Sequence, residues 1–259
     1  MFNDDFSEYR VNCLPWTVYA QALRRNPVLF LPVGALEQHG PHLPMACDAV
    51  FADAMAVRAA QQMNGLVLPV LTYGYKSQAR SGGGQQFPGT TSLDGQTLTA
   101  MVQDVLREVF RHGVTRVVVL NGHVENQWFI TEGIDLALRE ALPANPDLRV
   151  LRCEYWNYTP QSTLDAVFDG PFPGVDLEHA ALLETSMMLA LHPQLVRMDE
   201  LPADDTGDFA GHDRYPPTGN GVPDSGVLAP ASGASAEKGT LLINTTVEAM
   251  VKGLRQDLE

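Results

Sequence analysis

The chain has 259 residues, of which 45% are hydrophobic, and its formal net charge is −14. This length suits one α/β domain with a sizeable core, and the acidic balance disfavours nucleic acid and anionic membranes as partners. Since no uninterrupted apolar run reaches about 18 residues, we expect no membrane span. The three cysteines are odd in number and widely spaced, which favours a reducing compartment over a disulfide framework. We therefore expect a cytoplasmic protein.

Strand-like and helix-like segments alternate along the chain. Short apolar or β-branched runs predict strands at 28–33, 66–71, 115–120 and 148–153. Helical patterns, most clearly an apolar stripe at 98–110, predict further helices at 49–63, 127–141, 180–191 and 243–258. A stretch rich in Pro, Gly, Asp and Ser predicts a long surface excursion at about 201–236. This order predicts a mainly parallel sheet with helices on both sides, within a single domain covering residues 1–259.

Two polar loops follow predicted strands. Glu37, His39 and Asp48 come after the first strand, and His123 and Glu125 come after the third. Crossover connections between parallel strands are right-handed, and ligands bind beyond the carboxyl ends of such strands. The two loops are therefore expected to meet at one edge of the sheet, although they are far apart in sequence.

The side chains of these loops are suited to metal ions. Carboxylates and imidazoles are ligands of zinc and manganese, and three carboxylates in one cleft would repel one another without cations. Two divalent ions with Asp48 as a bridge would activate water and polarise a carbonyl group, which is chemistry that hydrolyses amides. The predicted ligands are Glu37, His39, Asp48, His123 and Glu125.

The stretch DLEHAALLETS supplies further polar groups at the start of a predicted helix. His179 is the natural proton donor to a departing nitrogen, with Glu178 as its neighbour or as an alternative donor. Glu184 is expected to cap the helix or to support a metal ligand rather than to bind an ion. Catalytic roles are thus predicted for His179, Glu178 and Glu125.

Two other features have alternative interpretations. The SGGG loop, Ser81–Gly84, lacks the Gly-Lys-Ser/Thr ending of a phosphate-binding loop. Its glycines either let the backbone approach a small ligand or form a flexible turn. Trp156, which follows the fourth predicted strand, either forms the wall of a pocket for a flat ligand or packs in the core. Spacing alone leaves both questions open.

Four segments together resemble the creatininase (creatinine amidohydrolase) family. They are LPVGALEQHGPHLP followed by Asp48, then YGYKSQARSGGGQQFPGTTSLDG, NGHVEN and LEHAALLETSMMLALHP, in this order over roughly residues 28–191. The resemblance implies a three-layer α/β/α sandwich with a mainly parallel sheet, assembled as a homohexamer. It also implies a metal-dependent cyclic amidohydrolase that opens a C–N bond of a small five-membered ring, with creatinine and creatine as the nearest pair of compounds.

The resemblance also implies roles for single residues. One ion, zinc or manganese, would be bound by Glu37, Asp48 and His123. A second ion would be bound by His39, Asp48 and Glu125. His179 matches a residue implicated in catalysis. The positions that match the family's substrate pocket are Ser81, Val124, Trp156, Val175, Asp176 and Glu178.

Two of these positions depart from the family's pattern. Val124 stands where the family has an aromatic residue inside the NGH-x-EN motif, and Val175 stands where it has a tryptophan on a flap over the substrate. The same chemistry on another cyclic amide, such as a hydantoin-like or thiohydantoin-like ring, is therefore an alternative, as is a linear formamide or peptide. A non-catalytic metal-binding protein is a third hypothesis, but it would have no need for His179 beside Glu178.

Overall fold

The computed structural model describes residues 6–258; the predicted single domain also covers 1–5 and 259, which lie outside the described residues. Strands lie at all four predicted places: β1 (Leu29–Val33), β2 (Leu66–Val67), β3 (Arg116–Asn121) and β4 (Arg149–Glu154). They form a sheet in the order β2-β1-β3-β4, and all three pairings are parallel. The prediction of a parallel sheet is therefore confirmed.

Strand β2 is shorter than the predicted strand at 66–71. The backbone N–H groups of Leu68 and Leu71 still donate to carbonyl groups of β1, at N···O distances of 2.8 and 3.0 Å. Leu66 and Leu68 donate at alternate positions, but the next donor is Leu71 and not residue 70, so the regular ladder is interrupted there. The edge of the sheet is consequently irregular beyond Val67.

Helices follow or precede each strand. The α-helices are α1 (Trp16–Leu23), α2 (Cys47–Met63), α3 (Ala79–Gly82), α4 (Gly95–Arg111), α5 (Gln127–Ala141), α6 (Gln161–Val167), α7 (Leu182–Leu191) and α8 (Ala236–Leu258). Short 3-10 helices cover Ser7–Tyr9, Val11–Cys13, Val124–Asn126, Tyr155–Tyr158, Val175–Leu177, Pro193–Leu195 and Met198–Glu200. Within residues 6–258, no helix combines the length and the hydropathy that a membrane span requires.

The five predicted helices are present, but only α5 begins at the predicted residue; α2 and α4 begin earlier, at Cys47 and Gly95. Helix α7 begins at Leu182 rather than at 180, because Ala180 has a left-handed backbone conformation with φ 55°. Helix α8 begins at Ala236, earlier than the predicted 243. The apolar stripe from which the last helix was predicted covers only its later turns, and the more polar first turns carry no such signal.

Side chains of β3 point alternately to the two faces of the sheet. Val118 and Leu120 belong to a core that includes α2, α7 and α8. Val117 and Val119 belong to a second core that includes α1, α4 and α5. Full burial of one such side chain contributes about 1.5–3 kcal/mol, so both helical layers are held to the sheet by apolar contacts. The predicted three-layer α/β/α sandwich is confirmed.

Residues 201–235 form neither helix nor strand, but this segment is not entirely at the surface. Val227, Leu228, Ala229 and Ala231 are buried, which differs from the expected surface excursion. The physical reason is apolar packing, because the side chain of Val227 joins the core that includes α2. The end of the segment therefore packs inside the protein, where Leu228 donates a hydrogen bond to the backbone of His179.

Candidate metal centre and its pocket

Two glycines let the first turn of α2 pack against the ends of β1 and β3. A Cβ atom on Gly34 would lie 2.4 Å from the backbone nitrogen of Ala49. A Cβ atom on Gly122 would lie 2.4 Å from the carbonyl oxygen of Asp48. Because β1 and β3 are neighbours in the sheet, this close approach places the Asp48 side chain between the two polar loops.

His39 directs one ring nitrogen to the backbone and the other to two carboxylates. Its Nδ1 lies 3.2 Å from the carbonyl oxygen of Glu37, and since a carbonyl only accepts, Nδ1 carries the hydrogen. Its Nε2 lies 3.1 Å from Asp48 Oδ1 and 3.6 Å from Glu184 Oε2, without hydrogen-bond geometry. A lone pair among carboxylates, with the other nitrogen fixed by a carbonyl, is the arrangement of a metal-binding histidine.

His123 has the same arrangement with its nitrogens exchanged. Its Nε2 donates to the carbonyl oxygen of Tyr75 at 3.0 Å. Its Nδ1 lies 3.1 Å from Glu37 Oε1 and 3.0 Å from Asp48 Oδ2. Glu37 Oε2 and Asp48 Oδ2 are buried and have no hydrogen-bond partner. Buried carboxylate oxygens without partners are costly, and a divalent cation between these groups would satisfy them.

These side chains form three overlapping groups: Glu37, His39 and His179 make up one of them, and the other two share one carboxylate. The ligand atoms of Glu37, Asp48 and His123 lie within 4.8 Å of one another, and so do those of His39, Asp48 and Glu184. Imidazole and carboxylate donors in threes suit zinc and manganese. Glu184, expected from the sequence to cap the helix or to support a ligand, accepts a hydrogen bond from the backbone nitrogen of Ala180 at 2.6 Å and also lies with the second group.

The cluster contains more buried negative charge than positive charge. Burial raises the pKa of Glu37 to about 7, although His123 opposes the shift. Burial disfavours the charged ring of His39, but nearby Cys47, Glu184 and Asp48 outweigh it and raise the pKa of that ring well above its usual value. The two shifts have different causes, burial for Glu37 and nearby negative groups for His39, and both favour a proton or a cation beside the buried carboxylates.

Glu125 lies on the opposite side of His123 from the shared carboxylate. Its Oε2 is 3.3 Å from Nε2 of His123. Its Oε1 accepts hydrogen bonds from the backbone nitrogen of Gln78 at 2.7 Å and from the hydroxyl of Ser81 at 2.6 Å. Glu125 therefore holds the Ser81 loop with Oε1, while its buried Oε2 has no hydrogen-bond partner and lies beside His123. Its role as a ligand of the second ion stays a prediction.

A cavity of about 90 Å³ opens beside the two groups. Five of the six predicted substrate positions line it, namely Ser81, Val124, Trp156, Val175 and Glu178. Asp176 does not line it, because this side chain is exposed and lines a neighbouring groove. The opposite wall is apolar and comes from α6, α7, α8 and the loop before Val175: Leu164, Phe172, Leu183, Met187 and Leu242.

His179 lies between the cluster and the backbone of Gln38. Its Nε2 is 2.8 Å from the carbonyl oxygen of Gln38, and its Nδ1 is 3.7 Å from Glu37 Oε1. Its ring centroid is 4.3 Å from that of His39. Burial, reinforced by His39, lowers the pKa of His179 well below its usual value. The ring is therefore neutral near neutral pH, and Nδ1 presents a lone pair toward the cluster.

Glu178 lines the cavity beside His179. Its Oε2 accepts a hydrogen bond from the backbone nitrogen of Leu183 at 2.9 Å, and its buried Oε1 has no partner. Burial raises the pKa of Glu178 to about 8 against the opposing backbone hydrogen bond, with a smaller contribution from Glu184. The carboxyl group consequently holds a proton at neutral pH and can donate it into the cavity.

Sequence reasoning did not select several residues of this site. Gln38 stands between two predicted ligands, and its position there is the only sequence signal that could have identified it. Tyr75 contributes a backbone carbonyl to His123, for which no side-chain type is required. The apolar wall comes from α7 and α8, whose patterns indicated only core packing, and from α6 and the loop before Val175, where no element was predicted.

The family model described as creatinine amidohydrolase, or creatininase, matches residues 12–254. The chain belongs to the creatininase family. A creatinine amidohydrolase from Pseudomonas putida is 44% identical over 247 residues, which cover 94% of this chain and 95% of that protein. The resemblance that the four sequence segments indicated is therefore confirmed.

Solved creatininases have the same fold. A manganese creatininase superposes with a TM-score of 0.93, and a mutant creatininase of Zn–Zn type with a TM-score of 0.94. A mutant creatininase complexed with creatine superposes with a TM-score of 0.93. In each case the identity is 43%, and the match covers 96% of this chain and 98% of the solved one.

Proposed function

We propose that this chain hydrolyses creatinine to creatine in a metal-dependent reaction that opens the amide C–N bond of the five-membered ring. The observation that carries the proposal is the pair of carboxylate and imidazole groups that share Asp48 beside one cavity. Similarity to a creatinine amidohydrolase along 94% of the chain supports this substrate. A metal-dependent amidohydrolase is thus the activity that both the geometry and the family favour.

Two divalent ions, zinc or manganese, fit the cluster. When bound, such ions lower the pKa of a coordinated water and polarise a carbonyl oxygen. The proposed ligands of one ion are Glu37, Asp48 and His123. The proposed ligands of the other are His39, Asp48 and Glu184, with Glu125 as the alternative to Glu184 that the family resemblance implies.

Two neighbouring residues are assigned the proton transfers. Nδ1 of His179 accepts a proton as water adds to the carbonyl carbon, since its lone pair is directed toward Glu37. Glu178 donates its proton to the departing ring nitrogen as the C–N bond breaks, because its buried carboxyl is protonated at neutral pH. This assignment differs from the sequence-based expectation, in which His179 was the donor.

The size of the cavity supports a small ring as substrate. By the same measure of volume a water molecule needs roughly 10–15 Å³, so about 90 Å³ holds a compact ligand and not an extended peptide. We assign substrate contacts to Ser81, Val124, Trp156 and Val175, with the apolar wall facing the ring's methyl substituent. Asp176 would join them only if its 3-10 turn moved inward.

A hydantoin-like or thiohydantoin-like ring of similar size would fit the same cavity. The aliphatic side chains of Val124 and Val175 leave more space beside the substrate than aromatic residues would. Similarity along nearly the whole chain to a creatinine amidohydrolase nevertheless favours creatinine.

We also propose a cytoplasmic homohexamer of single-domain subunits. The family resemblance supports the hexamer. The free thiols of Cys13, Cys47 and Cys153 support a reducing compartment. Packing of both cores on one sheet supports one domain over the described chain. Light scattering of the purified protein measures the subunit number, and a mass of one or two chains would contradict the hexamer.

The function is tested by measuring metal content and turnover together. We expect about two zinc or manganese ions per chain, hydrolysis of creatinine, loss of activity with a chelator and recovery when the metal is restored. Asp104→Asn, at an exposed position on α4, is the control variant. If the protein hydrolyses hydantoins but not creatinine, the alternative ring is favoured. If the metal-loaded protein hydrolyses no cyclic amide, an enzymatic function is contradicted.

A further inference from the structure

Gln38 is anchored at every polar group. Its backbone N–H donates to the hydroxyl of Thr90 at 3.0 Å, and its Oε1 accepts from the backbone nitrogen of Gly40 at 2.8 Å. Its Nε2 donates to the carbonyl oxygens of Gly82 and Gly226, at 3.1 and 2.8 Å. The residue is 6% exposed, so these bonds form away from solvent. Four hydrogen bonds therefore fix the position of Gln38.

The remaining polar group of Gln38 is its backbone carbonyl oxygen, which lies 2.8 Å from Nε2 of His179. Both hydrogens of the Gln38 amide are already donated to Gly82 and Gly226. The 2.9 Å approach between the two Nε2 atoms is therefore not a hydrogen bond. Since a carbonyl oxygen only accepts, Nε2 of His179 carries the ring hydrogen and Nδ1 carries the lone pair.

The surrounding backbone is shaped to this side chain. A Cβ atom on Gly83 would lie 2.7 Å from Gln38 Nε2, and one on Gly226 would lie 2.2 Å from Gln38 Oε1. Leu228, two residues after Gly226, donates its N–H to the carbonyl oxygen of His179 at 3.1 Å. Gln38 thus connects the SGGG loop, the segment that holds the backbone of His179 and the imidazole ring itself.

We infer that Gln38 is a positioning residue that fixes the tautomer and the orientation of His179, so that Nδ1 faces the reacting atoms. This role rests on the proposed function, because it gives the Nδ1 lone pair the task of accepting a proton. The polar contacts of Gln38 are with Thr90, Gly40, Gly82, Gly226 and His179, and of these His179 carries the proposed chemistry, so Gln38 acts through His179. Without the two side-chain amide donors, the backbone carbonyl of residue 38 is no longer held in place, and the His179 ring can then adopt the other tautomer.

The test compares Gln38→Met and Gln38→Glu with Gln86→Met. Met has a length similar to that of Gln but no hydrogen bonds, and Glu keeps an acceptor for Gly40 while losing both donors. Gln86 is the matched control, because its amide donates to the carbonyl of Gly83 in the same loop without contacting His179. We expect kcat on creatinine to fall by about 10- to 100-fold in both Gln38 variants, with KM changed less than about threefold.

The decisive measurement is the ¹⁵N NMR signature of the His179 ring in zinc-loaded protein, assigned by the signals that disappear in His179→Gln. The wild-type protein should show a protonated Nε2 and a bare Nδ1, and Gln38→Met should show a mixture of tautomers. An unchanged ring signature together with a kcat equal to that of Gln86→Met would overturn the inference. If no protein hydrolyses creatinine but the tautomer still changes, the proposed reaction fails while the positioning role is supported.

Discussion

Two regions contact His179, and they are held in place differently. The loops after β1 and β3 take their positions from neighbouring parallel strands and from the close approach of α2. The segment 201–235 has no helix or strand; it is held by apolar packing of Val227 in the core and by single hydrogen bonds to distant residues, such as Gln38 to Gly226 and Arg80 to Ala210. The predicted metal ligands of the two loops are therefore placed by the sheet, whereas His179 is held by both regions, through Gln38 of the first and Leu228 of the second.

This difference predicts that substitutions in the two regions affect different measured properties. Substitutions in the sheet-fixed loops should remove metal and activity while the fold persists, because packing of both cores does not depend on them. Substitutions in 201–235 should lower the free energy of unfolding while the metal content of folded protein persists.

Asp48→Ala should have the largest effect, because both groups lose their shared carboxylate. We expect metal content to fall below one ion per chain and creatinine hydrolysis to fall by about a thousandfold or more. Elemental analysis and steady-state kinetics measure both. The control is Asp53→Asn on the same helix, which breaks the buried pair with Arg10 and should cost about 3–5 kcal/mol of stability with both ions retained. A two-ion, fully active Asp48→Ala protein would contradict the bridge.

Glu184→Gln and Glu125→Gln should show which of the two carboxylates binds the second ion and which one only supports the site. If Glu184 binds the second ion, Glu184→Gln leaves about one ion per chain, and activity falls by about a hundredfold or more. Glu125→Gln should keep both ions but weaken one of them about 10- to 100-fold, because Glu125 lies 3.3 Å from His123 and holds the Ser81 loop beside the cluster. Metal titration distinguishes the two variants. Loss of an ion in Glu125→Gln alone would return the ligand role to Glu125.

The activity should decline on the alkaline side because Glu178 loses its proton there. Its pKa is raised to about 8, so the carboxyl is protonated below that pH and ionised above it. We expect kcat to fall tenfold per pH unit well above about 8. Glu178→Gln should be slow at every pH and should lack this decline. A decline that persists unchanged in Glu178→Gln would assign it to another group.

Gly226→Ala should test the segment 201–235. Gly226 has φ 76°, and an added Cβ would lie 2.2 Å from Gln38 Oε1, so both strain and collision oppose alanine. We expect the free energy of unfolding to fall by about 1–3 kcal/mol, with two ions still bound. Gly211→Ala is the matched control in the same segment, because no atom lies within 4 Å of its added Cβ. Equal stability of the two variants would contradict the proposed anchoring.

Val175→Trp should have the smallest effect, because it changes only the wall of the cavity. A larger aromatic side chain should raise the ratio of creatinine to hydantoin turnover by roughly 10-fold or less. Competition kinetics with both rings measures this ratio, and Val175→Leu controls for added bulk without an aromatic ring. An unaltered ratio would show that position 175 does not shape the pocket.

The sequence determined the sheet, the helical layers and the approximate location of the cluster. Apolar runs and helical stripes are local signals, and parallel strands deliver their following loops to one edge whatever the loops contain. That is why Glu37, His39, Asp48 and His123 could be placed together from widely separated motifs, and why the family resemblance agreed with the pattern.

Only the tertiary structure decided how these side chains face one another. The grouping of Glu184 rather than Glu125 with His39, the tautomer of His179 and the anchoring of Gln38 all depend on distances between elements far apart in sequence. A residue's type allows it to be a ligand, a base or a support. Burial and the direction of a neighbouring lone pair select among these roles, and no periodicity in the chain encodes either of them.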